Sequence, residues 1–255
     1  MLKIATWNVN SLRVRLEQVL DWIKNEQPDL LALQETKIID ADFPVDAIKQ
    51  LGFNVTYSGQ KTYNGVALIT RHPVSDPITD VPDFTDPQRR ILGVTYEGIR
   101  FFNLYVPNGE RVDSEKYHYK LNWLQNVKDH LQKELSQNPN CVILGDFNIA
   151  PENRDVHDPD MWEGRILCSE SERSMLSSIL STGFVDCFRI HSDEKAFSWW
   201  DYRLNSFKRD LGLRIDHIFA SGALPQKCTQ CYIDKAPRGH ERPSDHAPVI
   251  AEFNI

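Results

Sequence analysis

Residues 141–148 of the chain read CVILGDFN, and this stretch places polar side chains directly after a short apolar run. A run of this length is typical of a buried strand, whose side chains alternate between the two faces of a sheet. Asp146 and Asn148 are two residues apart and therefore point to the same side where the strand ends. Because Asp and Asn are also common turn formers, this segment alone fits a turn as well as a functional site.

The same arrangement, a β-rich run beside polar side chains, recurs along the chain. It places Asn8 and Asn10 after residues 2–6, Glu35 after residues 29–33, Asp216 inside residues 212–220, and Asp245 and His246 before the last run. Each of these side chains alone fits a capped turn or a satisfied polar group. Five such segments together instead predict one polar site at the ends of several strands.

Eight motifs in order resemble the magnesium-dependent exonuclease III and abasic-site endonuclease family, within the wider endonuclease/exonuclease/phosphatase superfamily. They cover nearly the whole chain: WNVN at 7–10, LQETK at 33–37, QRR at 88–90, YVPNG at 105–109, GDFN at 145–148, FSWWDYR at 197–203, LRID at 213–216 and SDHAP at 244–248. Several motifs in one order are far more specific than one short pattern. The resemblance implies an α/β (α+β) fold, a four-layered α/β sandwich of two facing mixed β-sheets flanked by helices, with the site at one end.

Length and patterning predict one domain over residues 1–255. The chain is 41% hydrophobic, which suffices for one large core, and no Gly/Ser linker, repeat or low-complexity tract divides it. Strands are predicted at residues 2–6, 30–33, 66–70, 91–95, 100–106, 142–144, 215–220 and 249–253. Amphipathic patterns predict helices at residues 16–26, 117–135 and 173–180, which would cover the sheets.

The remaining composition predicts a cytoplasmic protein with no membrane partner, and a monomer is expected. There is no run of about 18 apolar residues and no N-terminal basic segment followed by a hydrophobic one. Five cysteines, mostly in apolar runs, fit buried thiols in a reducing compartment. Cys228 and Cys231 form a CxxC without a second pair, so a structural zinc or redox role for them is a minor alternative.

The formal net charge of -7 does not exclude a nucleic-acid substrate, because local basic clusters decide where a polyanion docks. Basic residues do gather near the motifs: Lys61, Arg89, Arg90, Arg111, Lys116, Lys120, Arg203, Lys208, Arg209, Arg238 and Arg242. For each one alone, a solvated surface is the alternative. The resemblance implies DNA contacts by Arg111, Lys116, Lys120 and Arg203, and an apolar pocket for a base-free deoxyribose at Trp199 and Leu213.

Phosphodiester hydrolysis requires charge neutralisation on the phosphoryl oxygens, an activated water and a stabilised leaving alkoxide. Mg²⁺ prefers oxygen ligands and keeps several waters, so one or two carboxylates plus an amide suffice. The resemblance implies Glu35 as the principal metal ligand, with Asn8 and Asp245 beside it. Mg²⁺ is the expected ion with Mn²⁺ as an alternative, and a second metal site at Asp146, Asn148 and His246 stays open.

The remaining polar residues receive catalytic roles. Asp146 is the candidate that orients or deprotonates the attacking water, and Asn148 would hold a phosphate oxygen. His246 is the candidate electrophile, with Asp216 fixing its tautomer and favouring the imidazolium. Tyr105 would bind a phosphate oxygen or assist in-line attack. A structural Asp-His pair within the core is the alternative for Asp216 and His246.

Together these assignments predict a DNA repair nuclease that cleaves at 3' ends of duplex DNA and 5' to abasic sites. Its expected partners are duplexes with abasic sites or with recessed or blocked 3' ends. The alternatives are a non-catalytic nucleic-acid-binding regulator on the same fold, or a phosphoesterase for a phospholipid or inositol phosphate. Residues 165–168 are expected to form a rim loop, where a bulky Arg165 or Leu167 would narrow the pocket and favour 3'-end trimming.

Overall fold

A computed structural model describes residues 1–255 and contains twelve strands and six α-helices. The strands are β1 (Leu2–Asn8), β2 (Leu30–Gln34), β3 (Asn54–Ser58), β4 (Val66–Thr70), β5 (Ser75–Ile78), β6 (Ile91–Tyr96), β7 (Ile99–Tyr105), β8 (Cys141–Asp146), β9 (Val185–Asp186), β10 (Asp216–Ala220), β11 (Cys228–Ile233) and β12 (Val249–Phe253). The helices are α1 (Leu12–Glu26), α2 (Val45–Lys49), α3 (Glu115–Gln137), α4 (Pro159–Trp162), α5 (Glu170–Leu180) and α6 (Cys187–His191).

Two six-stranded mixed sheets form the centre of the fold. Their orders are β11-β12-β1-β2-β4-β3 and β5-β6-β7-β8-β10-β9. The parallel pairs are β1 with β2 and β7 with β8, and the other pairs are antiparallel. A core of 23 buried residues, drawn from strands of both sheets, fills the space between them. A second cluster of 17 buried residues lies under α1 and α2, and a third cluster of 17 lies under α3 and α5. The predicted four-layered sandwich is therefore confirmed.

All eight predicted strands and all three predicted helices are present, while β3, β5, β9 and β11 were not predicted. These four strands have little hydrophobic pattern: β5 is almost wholly exposed and contains Pro77, and β9 has only two residues. Strand β11 carries the CxxC, and a bulge between Cys228 and Gln230 lets both cysteines face inward. All five cysteines are free and buried. No helix is both long and apolar enough to cross a membrane.

The two sheets bring the ends of their central strands together at one edge of the sandwich. Strands β1 and β2 run parallel and end side by side at Asn8 and Gln34. In the other sheet, Asp146 at the end of β8 is the register partner of Asp216 at the start of β10. Buried Gln34 donates to Asn103 Oδ1 at 2.7 Å, which links the two sheets directly beneath this edge.

Candidate active site

A buried carboxylate and imidazole form the floor of the site. His246 Nδ1 lies 2.9 Å from Asp216 Oδ2 and 3.1 Å from Oδ1, and Ser198 Oγ donates to Asp216 Oδ2 at 2.6 Å. Burial disfavours the charged imidazole, but the carboxylates of Asp216 and Asp146 outweigh it and raise the pKa of His246 to about 10. The Nδ1–H of the ring donates to Asp216, and Nε2 faces Asp146 Oδ2 at 3.8 Å.

Asp146 sits at the centre of the polar cluster and is almost fully buried. Its Oδ1 accepts from the Asn148 N–H at 2.9 Å, and its Oδ2 accepts from Asn8 Nδ2 at 2.9 Å. Burial, together with the nearby negative charges of Asp216 and Glu35, raises the pKa of Asp146 to about 7 against the opposing effect of His246. A carboxylate with a pKa in this range can accept a proton at neutral pH.

Asn148 is held in the left-handed region, with a φ of 49°, by hydrogen bonds on every side. Its Nδ2 donates to Val106 O at 3.0 Å and to Asp146 Oδ2 at 3.2 Å. Its Oδ1 accepts from Asn108 Nδ2 at 3.1 Å. This loop conformation directs both the main-chain N–H and the amide group of Asn148 onto Asp146.

Glu35 follows β2 and faces the same cavity from the other sheet. Its Oε1 accepts from Asn8 Nδ2 at 3.0 Å and from the Tyr105 hydroxyl at 2.9 Å, while Oε2 pairs with Lys37 Nζ at 2.8 Å. Burial would raise the pKa of Glu35, but the Lys37 ammonium and the Asn8 hydrogen bond lower it below its usual value. Burial and the Glu35 charge raise the pKa of Tyr105 well above 10, which keeps this hydroxyl protonated.

Asp245, itself a candidate metal ligand, is hydrogen-bonded to Asn10 and to the pocket residue Trp199. Its Oδ1 accepts from Asn10 Nδ2 at 3.0 Å, and its Oδ2 accepts from Trp199 Nε1 at 3.0 Å. Asn10, with a φ of 43°, also accepts from Lys37 Nζ at 2.6 Å. Asn10 and Lys37 received no role from the sequence, although both lie inside the motifs WNVN and LQETK.

The site contains donors suited to a metal ion. The donor atoms of Asp146, Asp216 and His246 lie within 4.8 Å of one another, but this cluster could bind a metal only with a neutral His246 ring, and the raised pKa of His246 favours the imidazolium. Glu35 and Asp245 add partly exposed carboxylates, which fit a hard divalent cation. The Lys37 ammonium already stands between Glu35 Oε2 and Asn10 Oδ1, so the site accommodates a positive charge there.

An apolar cavity of about 490 Å³ lies beside the catalytic groups. Its lining comprises His157, Met161, Trp162, Trp199, Asp201, Arg203, Leu204, Ser206 and Leu211. Trp199 is half-buried, whereas the neighbouring Trp200 is fully buried in the core. The expectation for Leu213 is wrong, because this side chain is fully buried and pairs with Trp199 through main-chain hydrogen bonds of 2.9 and 3.0 Å. Leu213 therefore supports the pocket from beneath.

The structure divides the predicted basic contacts into exposed and buried residues. Arg111, Lys116 and Arg203 are exposed, with Lys116 paired to Glu110 at 2.7 Å and Arg203 paired to Asp201 at 2.6 Å. Lys120 was wrongly expected to touch DNA: its side chain is 0% exposed and pairs with Glu172.

Two further basic residues near the motifs are also buried. Arg90 stacks over the Tyr105 ring at 4.5 Å, and Arg238 lies over the Phe207 ring at 4.8 Å. Both guanidinium groups pack against aromatic rings and are largely shielded from solvent.

The rim loop lies between the cavity and the Asn148 loop. Leu167 is buried among Ala150, Val156 and Ile215, so it cannot narrow the entrance as expected. Ile166 packs against Gly109, where an added Cβ would lie 2.8 Å from Ile166 Cδ1. Arg165 is exposed on the outer side of this turn.

Comparisons with known proteins agree with this geometry. Residues 5–246 match the endonuclease/exonuclease/phosphatase family. The exodeoxyribonuclease III of Haemophilus influenzae is 35% identical over 266 aligned positions, covering 99% of this chain and all of that protein. Among solved structures, the 3' phosphatase NExo from Neisseria, in a D146N form bound to a product DNA hairpin, has a TM-score of 0.98 at 43% identity over the full length of both chains.

An AP endonuclease from Archaeoglobus fulgidus is also similar, with a TM-score of 0.96 at 41% identity, again over the full length of both chains. These matches extend over the whole sandwich, including the strand ends that carry Glu35, Asp146 and Asp216. The chain therefore belongs to the endonuclease/exonuclease/phosphatase family, as its exonuclease III-like motifs indicated.

Proposed function

We propose that this chain is a magnesium-dependent DNA repair nuclease that hydrolyses phosphodiesters at 3' ends of duplex DNA and 5' to abasic sites. One observation carries the proposal: Asp146, with a pKa raised to about 7, lies 3.8 Å from the ring of His246, which Asp216 holds as an imidazolium. The arrangement places a proton acceptor, Asp146, beside a cation, the His246 imidazolium. Phosphodiester hydrolysis requires the acceptor for the attacking water and the cation for the phosphoryl oxygens.

Asp146 orients the attacking water and takes its proton as the water adds to phosphorus. The His246 imidazolium faces the developing charge on a phosphoryl oxygen, and Asp216 keeps the ring in the required tautomer. Asn148 aligns Asp146 through its main-chain N–H. Its side-chain Nδ2 releases the longer hydrogen bond, 3.2 Å to Asp146 Oδ2, and donates to a phosphate oxygen instead. The protonated Tyr105 hydroxyl donates to Glu35 at 2.9 Å, and it would release this bond to donate its one proton to a second phosphate oxygen.

Glu35 and Asp245 are the carboxylates that would hold Mg²⁺, with Mn²⁺ as an alternative ion. When bound, the ion supplies charge neutralisation at the phosphoryl and leaving oxygens. Asn8 donates to Glu35 and Asp146 through one amide nitrogen and so fixes the spacing of the two carboxylates. Its oxygen accepts the Asn10 N–H at 2.9 Å and retains a lone pair for a cation.

Duplex DNA is the substrate class that the relatives suggest, because their names include exodeoxyribonuclease III, AP endonuclease and a 3' phosphatase bound to a DNA hairpin. The cavity lined by Trp199 has the size and apolar character to receive a sugar without its base. Arg203 also lines this cavity, and Arg111 and Lys116 are exposed. The preferred substrates are then duplexes with abasic sites or with recessed or blocked 3' ends.

This chain supplies a complete catalytic set without a partner subunit, so the proposed working unit is a monomer. The proposed location is the cytoplasm. A non-catalytic regulator would not need Glu35, Asp146 and the Asp216/His246 pair, yet all four are in place. Glu35 and Asp146 both accept from the Asn8 amide, and His246 pairs with Asp216 and lies 3.8 Å from Asp146.

The test uses one labelled duplex that carries an abasic analogue and a recessed 3' end. With Mg²⁺ we expect cleavage 5' to the analogue and shortening from the recessed end, separated by product length. EDTA should stop both reactions, and added Mg²⁺ should restore them. A wild-type protein that cleaves neither position in Mg²⁺ or Mn²⁺ would exclude the proposed function.

A further inference from the structure

A fully buried ion pair lies behind the catalytic loops. Lys120 on α3 and Glu172 on α5 are both 0% exposed, with Lys120 Nζ 2.5 Å from Glu172 Oε1. Burial lowers the pKa of Lys120, while the Glu172 charge opposes this shift. A buried pair of this kind loses the hydration of two charges, and well-packed neutral residues often stabilise a fold equally well. Stability alone therefore does not account for the position of this pair.

The hydrogen bonds of Lys120 go to the main chain of two site loops. Its Nζ donates to Asn148 O at 2.7 Å and to Asn108 O at 3.2 Å. On the opposite face of the same peptide loop, the Asn148 N–H donates to Asp146 Oδ1 at 2.9 Å. The ammonium and the proposed base are thus separated by a single residue, Asn148.

Glu172 also accepts hydrogen bonds from the rim loop and from Ser169, which follows it. It accepts from the Leu167 N–H at 3.1 Å, from the Ser169 N–H at 3.1 Å and from Ser169 Oγ at 2.6 Å. The Tyr117 hydroxyl contacts the same Ser169 Oγ at 2.8 Å. One ion pair therefore joins three loops: residues 106–109, residues 146–150 and the rim loop.

We propose that Lys120 and Glu172 are positioning residues that hold Asn148 in its left-handed conformation and thereby aim the Asp146 carboxylate. This inference rests on the proposed nuclease function. Without the ammonium, Asn148 O loses its buried donor and the loop, with its φ of 49°, loses one of the contacts that enforce this unusual conformation. A displacement of about 1 Å in a reacting group can cost roughly 100-fold in rate.

The test replaces the pair by a neutral pair of similar volume, Lys120→Met with Glu172→Gln. Gln keeps one acceptor oxygen, which can serve the Ser169 N–H and Oγ, and it loses the acceptor of the Leu167 N–H. Lys120→Met removes the donors to Asn108 and Asn148. We expect kcat on an abasic-analogue duplex to fall roughly 10- to 100-fold, with KM and the DNA dissociation constant within about threefold of wild type.

The matched control is the pair of Arg100 and Glu134, which joins β7 to the distal part of the same helix α3 at 3.1 Å. Arg100→Met with Glu134→Gln removes a comparable interaction far from the site and should leave kcat unchanged. Thermal unfolding of both double variants is measured alongside, so that a general loss of stability is recognised.

A second comparison isolates the route to Asp146. In an Asp146→Asn background, the neutral pair should add little further loss, because the carboxylate that the pair aims can no longer take the proton. If the neutral pair keeps wild-type kcat, or if its penalty multiplies fully with that of Asp146→Asn, the inference is wrong. Should the double variant not fold, Lys120→Gln alone is decisive, because it removes the ammonium that donates to Asn148 O and leaves Glu172 a neutral amide partner: an unchanged kcat overturns the inference. Absence of cleavage by the wild type would instead reject the nuclease function itself.

Discussion

Carboxylates at this site have separate roles because their surroundings differ. Asp216 is satisfied by Ser198 and His246, so it serves as a fixed counter-charge. Burial, together with the charges of Asp216 and Glu35, raises the pKa of Asp146 to about 7, whereas the Lys37 ammonium lowers the pKa of Glu35. Environment, more than residue type, therefore assigns the base and the cation-binding group.

At the same scale, Asp216 and His246 are expected to act as one unit. Asp216→Asn and His246→Ala should each reduce the single-turnover cleavage rate, and the double variant should be scarcely slower than His246→Ala alone, since groups in one relay are non-additive. Rates measured on the abasic-analogue duplex check this. Penalties that sum in free energy would return Asp216 to a purely structural role in the core.

The pH profile of kcat/KM gives an independent test of the same residues. Activity should rise as Asp146 ionises near pH 7 and fall as His246 loses its proton near pH 10. Asp216→Asn removes a negative charge that raises both pKa values, so both limbs should move to lower pH, the alkaline limb by roughly 1 unit or more. An alkaline limb that stays in place in this variant would contradict the assignment of His246.

At the scale of elements, the segment around Trp199 joins the pocket to the catalytic strands through bridges to Leu213 and His246. Trp199→Ala should lower abasic-site incision roughly tenfold or more relative to wild type, because an extrahelical sugar must offset its unstacking cost through pocket contacts. Release of nucleotides from a recessed 3' end should fall much less, since a fraying end needs less help.

Trp199→Phe is the matched control for this prediction, because it keeps an aromatic ring and removes the N–H that donates to Asp245. Its preference between the two substrates should remain near that of wild type. Equal losses on both substrates in Trp199→Ala would mean that Trp199 only supports the fold.

The central elements and the residues that meet at the candidate site could be predicted from the sequence, because long apolar runs and motifs carry a strong local signal. Edge strands such as β5, which has almost no buried side chain, could not. Lys120 was misplaced because the motif shows that a cation follows YVPNG but not which side of α3 faces the core. Tyr117, Lys120 and Leu124 share the buried side of that helix, whereas Lys116 lies on its exposed side.

Ser198 was missed for a related reason. It lies within a recognised motif, but its hydrogen bond to Asp216 depends on the pairing of residues 198–199 with Leu213, which only the folded chain reveals. The buried pair formed by Lys120 and Glu172 likewise joins residues that are 52 positions apart.

For the whole molecule, a net charge of -7 requires that DNA affinity come from a local basic surface. Each phosphate contact released by salt contributes about 0.9 to the slope of log affinity against log salt on duplex DNA. Arg111→Ala with Lys116→Ala should therefore flatten the slope by roughly 1 to 2. Fluorescence anisotropy at several salt concentrations measures it.

The matched control replaces two exposed lysines at the distal ends of their helices, Lys24→Ala with Lys133→Ala. On α3, Lys133 is 17 residues beyond Lys116, about 25 Å along the helix axis. This variant has the same net charge as the Arg111/Lys116 variant and should keep the wild-type slope. Identical slopes for all three proteins would assign Arg111 and Lys116 to a solvated surface.

The most direct test of the account compares single-turnover cleavage by the wild type and Asp146→Asn on the abasic-analogue duplex in Mg²⁺. Asn keeps the shape of Asp146 but cannot take the proton, so we expect cleavage to slow by about 1000-fold or more while the melting temperature and DNA affinity stay near wild type. Cleavage by Asp146→Asn at nearly the wild-type rate would contradict the proposed catalytic site.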